Sequence, residues 1–137
     1  MTITQTNNVD LITQMYMEML EDEDSDLRFS FPDAKKRIAK YMADEPANII
    51  ENSDQTLGYA LVKTNMQPIY LHHFYICRDA RRQKNGTKAF QLLLQTLGAD
   101  EMDLDVYVWN ERGNAFWQSL GFKPRATIMR YSAGKPT

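Results

Sequence analysis

The chain is poor in the residues that would set it apart from an ordinary folded domain. It has one cysteine, Cys77, among 137 residues. That excludes an intramolecular disulfide framework and fits a reducing cytoplasm, the expected location. No apolar stretch approaches the ~20 residues that a membrane-spanning helix needs. Net charge is nearly absent, −2 formally, so no general affinity for nucleic acid is expected. The start, Met1-Thr2-Ile3-Thr4-Gln5, carries neither the basic residues nor the apolar run of a signal peptide. There is no internal repeat, low-complexity tract or interdomain linker. Neither G-x-G-x-x-G nor G-x-x-x-x-G-K-[ST] occurs, which weakens a nucleotide-binding reading.

What is present fits one folded domain. Hydrophobic residues at 43% and charged residues at 25% are ordinary for a globular chain, and 137 residues bury a sizeable core without staples. The expectation is a single domain over residues 1–137.

Periodicity gives the elements. Residues 8–22 read as a helix with Leu11, Ile12, Met15, Met19 and Leu20 on one face, behind the capping-type Asn7 and Asn8. The dense acidic run Glu21-Asp22-Glu23-Asp24-Ser25-Asp26 follows. A second helix starts near Pro32, with Ala34, Ile38, Tyr41 and Met42 inward. The period then shortens. Residues 47–51, 57–64 and 69–77 read as strands, separated by turns at 52–55 and 65–68. A helix over about 86–97 stops at Gly98. Residues 104–109 alternate as a half-buried strand, a short helix carries Phe116, Trp117 and Leu120, and Thr127–Tyr131 reads as a last strand. The order predicts a mixed α/β domain with a central sheet.

Between the strand Ile69–Cys77 and the helix that follows lies Arg81-Arg82-Gln83-Lys84-Asn85-Gly86. A basic turn that opens a helix presents free backbone N–H groups and the positive end of the helix dipole, a suitable place for phosphate. The plain alternative is a solvated helix start.

Read with the later segment Val106–Phe122, this turn resembles one in the GNAT superfamily of acyl-CoA-dependent N-acetyltransferases. That family shows Arg-x-x-Gly-x-Gly/Ala between a strand and a helix. It then shows a strand, an Asn and, seven residues on, an aromatic (often Tyr) four residues before Gly-Phe. Here Asn110, Trp117 and Gly121-Phe122 keep the second spacing. Arg81 and Gly86 keep the first, but Lys84 stands where the first glycine is expected. The resemblance covers about residues 46–131. Tyr70-Leu71-His72-His73 is similar to the Tyr-Leu-Glu-Asp pattern of the polyamine acetyltransferases, and Trp109-Asn110-Glu111 to a segment of the same branch.

The resemblance implies a mostly antiparallel central sheet flanked by helices, with a split between two central strands. It implies acetyl-CoA as co-substrate, no metal, and a primary amine of a small cationic molecule or a protein as acceptor. Arg81, Arg82, Gln83, Lys84, Asn85, Gly86 and Thr87 would cradle the pyrophosphate, and the pantetheine arm would pair along Phe74, Tyr75 and Ile76. Asn110 would touch the cofactor, cap the next helix, or both. Family members are often dimers, so a homodimer through the last strand is a further expectation. No nucleic-acid or membrane partner is expected.

The attacking amine must be neutral, so a base is needed. His72 and His73 occupy the two acidic positions of the polyamine-like pattern, and either is a candidate or an ordinary strand residue. Because adjacent strand residues face opposite sides, at most one should enter a cleft; position favours His72. The family's thiolate-protonating tyrosine is replaced by Trp117, which cannot act as an acid near neutrality and reads more simply as core. Tyr75, Tyr107 and Tyr131 are the substitutes. Glu21, Asp22 and Glu23 lie where the family borders its acceptor site and would attract a cation, or form a solvated loop. Cys77 reads as a small buried residue. Two functions follow: an N-acetyltransferase, or a non-catalytic acyl-CoA-binding or interaction module of the same fold.

Overall fold

A five-stranded sheet in the order β1-β2-β3-β4-β5 organises the chain. The computed structural model describes residues 1–134. Its elements are β1 (Thr2–Gln5), α1 (Val9–Asp22), α2 (Phe31–Asp44), β2 (Ala47–Asn52), β3 (Gln55–Lys63), β4 (Ile69–Ile76), a single 3₁₀ turn (Arg78–Ala80), α3 (Asn85–Leu97), β5 (Met102–Asp103) and α4 (Glu111–Ser119). Neighbours from β1 to β4 are antiparallel. β4 and β5 are parallel and meet only at Ile69–Met102 and Tyr70–Asp103. This is the mixed α/β arrangement that the element order predicts, with the mostly antiparallel sheet that the resemblance implies.

Helices cover both faces, and β3 shows why its sequence lacks clean alternation. Leu57 to Val62 are all buried, as in a strand packed on both sides. Tyr59 and Leu61 meet Ile12, Tyr16, Met19 and Ile38 of α1 and α2. Ala60 and Val62 face Phe90 and Leu93 of α3. The two strands β3 and β4 approach so closely that a Cβ on Gly58 would overlap the Tyr75 carbonyl oxygen.

Local chemistry sets the helix ends. Asn8 accepts from the Leu11 N–H, and Ser30 accepts from the Asp33 N–H beside Pro32, which satisfies first-turn donors. Gly98 closes α3 in the left-handed conformation, φ 61°.

Three parts of the sequence reading need correction. β1 is an addition without a sequence signal, because Thr2-Ile3-Thr4-Gln5 offers one apolar residue to an edge strand. The strand read over 104–109 does not form: the ladder with β4 is confined to Met102–Asp103, just before it, and beyond Asp103 the chain diverges from β4. The strand read over 127–131 does not form a ladder: Ile128, Met129 and Tyr131 are 81%, 90% and 90% exposed. With no partner on either side, neither segment can satisfy the ladder that defines a strand.

Candidate active site

The divergence of β5 opens a split beside β4. Cys77 donates its N–H to the Leu57 carbonyl at 2.7 Å, and Gly58 pairs with Ile76 in register. Bonded and non-bonded pairs alternate in an antiparallel ladder, so the main-chain groups of Phe74 and Ile76 turn away from β3, towards the split. Tyr75, between them, sends its side chain to α1.

At the end of β4 the chain turns into α3 through two left-handed residues, Arg82 (φ 66°) and Lys84 (φ 60°). Lys84 therefore occupies a backbone conformation that suits glycine, which explains the family's glycine there. α1, α2 and α4 are capped by Asn8, Ser30 and Asn110, whereas α3 has no side-chain cap. Its first N–H donors keep their capacity for an external acceptor. Gly86 is fixed by packing: a Cβ there would press the Phe116 ring at 3.2 Å. Asn85 is buried and donates to the Ala80 carbonyl at 2.8 Å, holding the turn together. Thr87 follows in the same first turn of α3, half-buried.

The cations divide into two groups. Arg82, Lys84 and Lys88 are exposed, as is Gln83. Arg81 turns inward instead: its Nε donates to the Ile76 carbonyl at 2.9 Å, its guanidinium pairs with Asp22 and lies over the Tyr75 ring. Arg78, which sequence reasoning did not single out, bridges Glu21 at 3.1 Å and Asp22 at 2.8 Å. Burial raises the Asp22 pKa, but the hydrogen bonds from Arg78 and Arg81 outweigh it and hold the carboxyl below its usual range.

These contacts bring the end of α1 against the turn after β4. The chain beyond β5 closes the other side. Tyr107 Oη and Ser25 Oγ lie 2.9 Å apart, and the Trp109 indole donates to the Glu23 carbonyl at 3.1 Å. Between them lies an open cleft of about 540 Å³, lined by Asp22, Glu23, Arg78, Arg81, Trp109 and Asn110 among others. Asn110 caps α4 by accepting from the Gly113 N–H at 3.0 Å. Burial, and then Asp22, push the Glu23 carboxyl up to about 7.

The histidines do not follow the alternation of a regular strand. In the β3–β4 register Leu61 opposes His73, but Val62 opposes Leu71, so His72 is an extra residue in a β-bulge. Both rings consequently lie on the α1–α2 side, with centroids 4.4 Å apart, and both meet Tyr41. His73 stacks on Tyr16 and its Nδ1 is 3.0 Å from Tyr59 Oη. Burial, then His72 and Arg37, depress its pKa well below the ordinary value, so the ring is neutral. His72 Nδ1 sits 2.7 Å from Glu45, with side chains 21% and 4% exposed. Glu45 had no signal in the sequence, since it meets His72 only through the bulge. Neither histidine lines the cleft around Glu23.

Trp117 packs among Phe74, Phe90, Phe116 and Phe122 at ring separations of 4.8–5.6 Å. Of the substitute tyrosines, Tyr75 donates to Glu18 at 3.0 Å, and burial raises its pKa. Tyr107 stacks on Trp109 at 4.5 Å, and Tyr131 is exposed. Cys77 is half-buried and its thiol pKa is raised by burial, an inert environment. Among the described residues no group of three or more His, Cys, Asp or Glu is placed to hold a metal, and no helix is long and apolar enough to cross a membrane.

Comparisons with known proteins agree with this arrangement. No curated protein matches the chain. Among solved structures, it is similar to a possible acetyltransferase from Clostridium difficile 630: 12% identity, 96% of this chain and 97% of that one, TM-score 0.75. It is similar to a tetramutant of the BH1408 protein from Bacillus halodurans, at 17% identity over 96% and 99% of the chains, TM-score 0.73. It is similar also to the aminoglycoside antibiotic 6'-N-acetyltransferase AAC(6')-IG from Acinetobacter haemolyticus, at 13% identity over 99% and 100%, TM-score 0.69. Identities this low establish the fold alone. The Acetyltransferase (GNAT) family profile matches residues 12–122, which include the split, the turn into α3 and the Asn110–Phe122 segment. The chain belongs to the GNAT acetyltransferase family.

Proposed function

We propose that the protein transfers an acetyl group from acetyl-CoA to a primary amine of a small cationic molecule or a protein, by direct attack in a ternary complex. The observation that carries this reading is the split: outward-turned main chain at Phe74 and Ile76 runs directly into the uncapped start of α3. An acyl-pantetheine arm fits the first and a pyrophosphate the second. The N–H groups of residues 85–87 supply donors, and exposed Arg82, Lys84 and Lys88 supply charge. A main-chain N–H of β4 polarises the thioester carbonyl, where negative charge grows in the transition state. Arg81, committed to Asp22 and Ile76, shapes this end of the site. Asn110 sets the start of α4 and lines the cleft. The acidic end of α1 draws a cationic amine to the same cleft.

Calorimetry with acetyl-CoA tests the binding half, and no heat up to millimolar concentration ends it. Thiol release with a panel of amines tests the transfer half.

A second reading, a non-catalytic acyl-CoA-binding or interaction module, is favoured by Trp117, whose aromatic packing leaves no acid at the family's tyrosine position. It requires cofactor binding without turnover on any amine. In either case we place the protein in the cytoplasm, and we assign the exposed Ile128, Met129 and Tyr131 to a homodimer contact, which light scattering tests.

A further inference from the structure

We infer that Glu23 is the carboxylate that receives the acceptor's ammonium group and takes its proton. This rests on the acetyltransferase reading above.

The acidic run is mostly spent on internal arginines. Glu21 and Asp22 meet Arg78, Asp22 also meets Arg81, Asp24 meets Arg28 at 3.7 Å, and Asp26 meets Arg130 at 3.9 Å. Among the described residues the Glu23 carboxylate alone in this run has neither an ion pair nor a hydrogen bond. Among the described residues no buried polar side-chain atom lacks a partner, so the unpaired Glu23 oxygens are reached by solvent, and Glu23 is one of the residues that line the cleft. Their position is set by the backbone: Glu23 N–H donates to Met19 at 3.0 Å, and Trp109 holds the Glu23 carbonyl.

The surroundings suit a base. Burial and Asp22 from α1 disfavour the carboxylate, while Glu111, Arg78, Arg81 and Arg112 are the other charged groups on the cleft wall and Tyr59 of β3 is neutral beside it. Burial with Asp22 moves the group to about 7, where it is still partly ionised at neutral pH and holds a proton once it has accepted one. An ammonium entering the cleft gives one proton to Glu23. The freed nitrogen pair bonds to the thioester carbon, and the C–S bond breaks with its electrons on sulfur. Through solvent, the sulfur then takes the second proton released by nitrogen. The products are the amide and CoA thiol, and Glu23 returns its proton to water. His72 and His73, bonded to Glu45 and Tyr59, support the sheet beneath.

The test compares the unaltered protein with Glu23→Gln, Glu23→Asp and His72→Ala. The probes are acetyl-CoA with putrescine, kanamycin and N-α-acetyl-lysine amide, from pH 5.5 to 9. Glu23→Gln should lose roughly 100-fold or more in kcat/KM and the acid limb near pH 7, with acetyl-CoA binding by calorimetry unchanged. Glu23→Asp should restore part of the rate and the limb. Carboxyl-carbon NMR should show one glutamate titrating near 7, absent in Glu23→Gln. A limb kept in Glu23→Gln or lost in His72→Ala overturns the inference, as does a Glu23 that titrates with ordinary carboxylates. No turnover by the unaltered protein ends the acetyltransferase reading and this inference with it; turnover with a normal Glu23→Gln profile ends only this inference.

Discussion

The imidazoles of His72 and His73 lie 4.4 Å apart on one side of the sheet, although the two residues are consecutive in one strand. The bulge that places them there leaves His73 deep beneath α1, where it must stay neutral. That burial has a measurable cost in acid.

His73 ordinarily titrates near 6.5, and its folded pKa is depressed well below that. The unfolded chain therefore binds the extra proton first. Its contribution to stability is complete above about pH 6.5 and is lost as pH falls towards the folded pKa, at about 1.4 kcal/mol per pH unit. Urea unfolding between pH 5 and 8 should show this slope in the unaltered protein. His73→Gln, which keeps a partner for Tyr59, should lack it.

Lys84 holds a left-handed conformation, φ 60° and ψ 19°. Such a conformation costs a residue with a Cβ about 1–2 kcal/mol, partly offset by glycine's greater freedom when unfolded. Lys84→Gly should raise the unfolding free energy by roughly 0.5–1 kcal/mol in urea, with acetyl-CoA affinity falling only by the loss of one exposed charge.

Gly58→Ala should have the opposite sign. The added methyl overlaps the Tyr75 carbonyl oxygen, and backbone, unlike the end of a flexible side chain, yields little. A loss of about 1–3 kcal/mol is expected from thermal or urea unfolding. Acetyl-CoA binding should weaken with it, because Tyr75 lies between the two residues whose main chain faces the split.

Asp22→Asn removes the common partner of Arg78 and Arg81. The expected cost at pH 7 is roughly 1–2 kcal/mol, mostly from Arg81, because Arg78 is exposed and screened. The Asp22 pKa is lowered in the folded state, so its stabilisation is present above its unfolded value and lost as pH falls through the folded one. The difference between variant and parent in urea should therefore shrink below about pH 4.

Much of this could be read from residue order, for physical reasons. α1 and α2 show their buried stripe, with Asn8 as the cap of the first and Pro32 marking the start of the second. β3 and β4 form long apolar runs because both faces are covered. Gly98 marks a left-handed stop. The resemblance carried by Arg81, Gly86, Asn110 and Gly121-Phe122 led to the family. What escaped has no local period. A bulge at His72 follows from how β3 and β4 are held together, not from either strand alone. Arg81 bonds to Asp22 across 59 positions, so its inward turn leaves no mark nearby. Segments 104–109 and 127–131 have strand-like alternation, yet alternation cannot say whether a neighbour is within reach.

The chain flanking the split is fastened twice. At one end two residues of β5 pair with β4; at the other, Tyr107 and Trp109 are bonded to Ser25 and Glu23. Only Leu104, Asp105 and Val106 separate the two fastenings along the chain. The stretch between α1 and α2 therefore acts as a ruler: inserting or deleting one residue between Asp22 and Phe29 would change how wide the sheet can stand open.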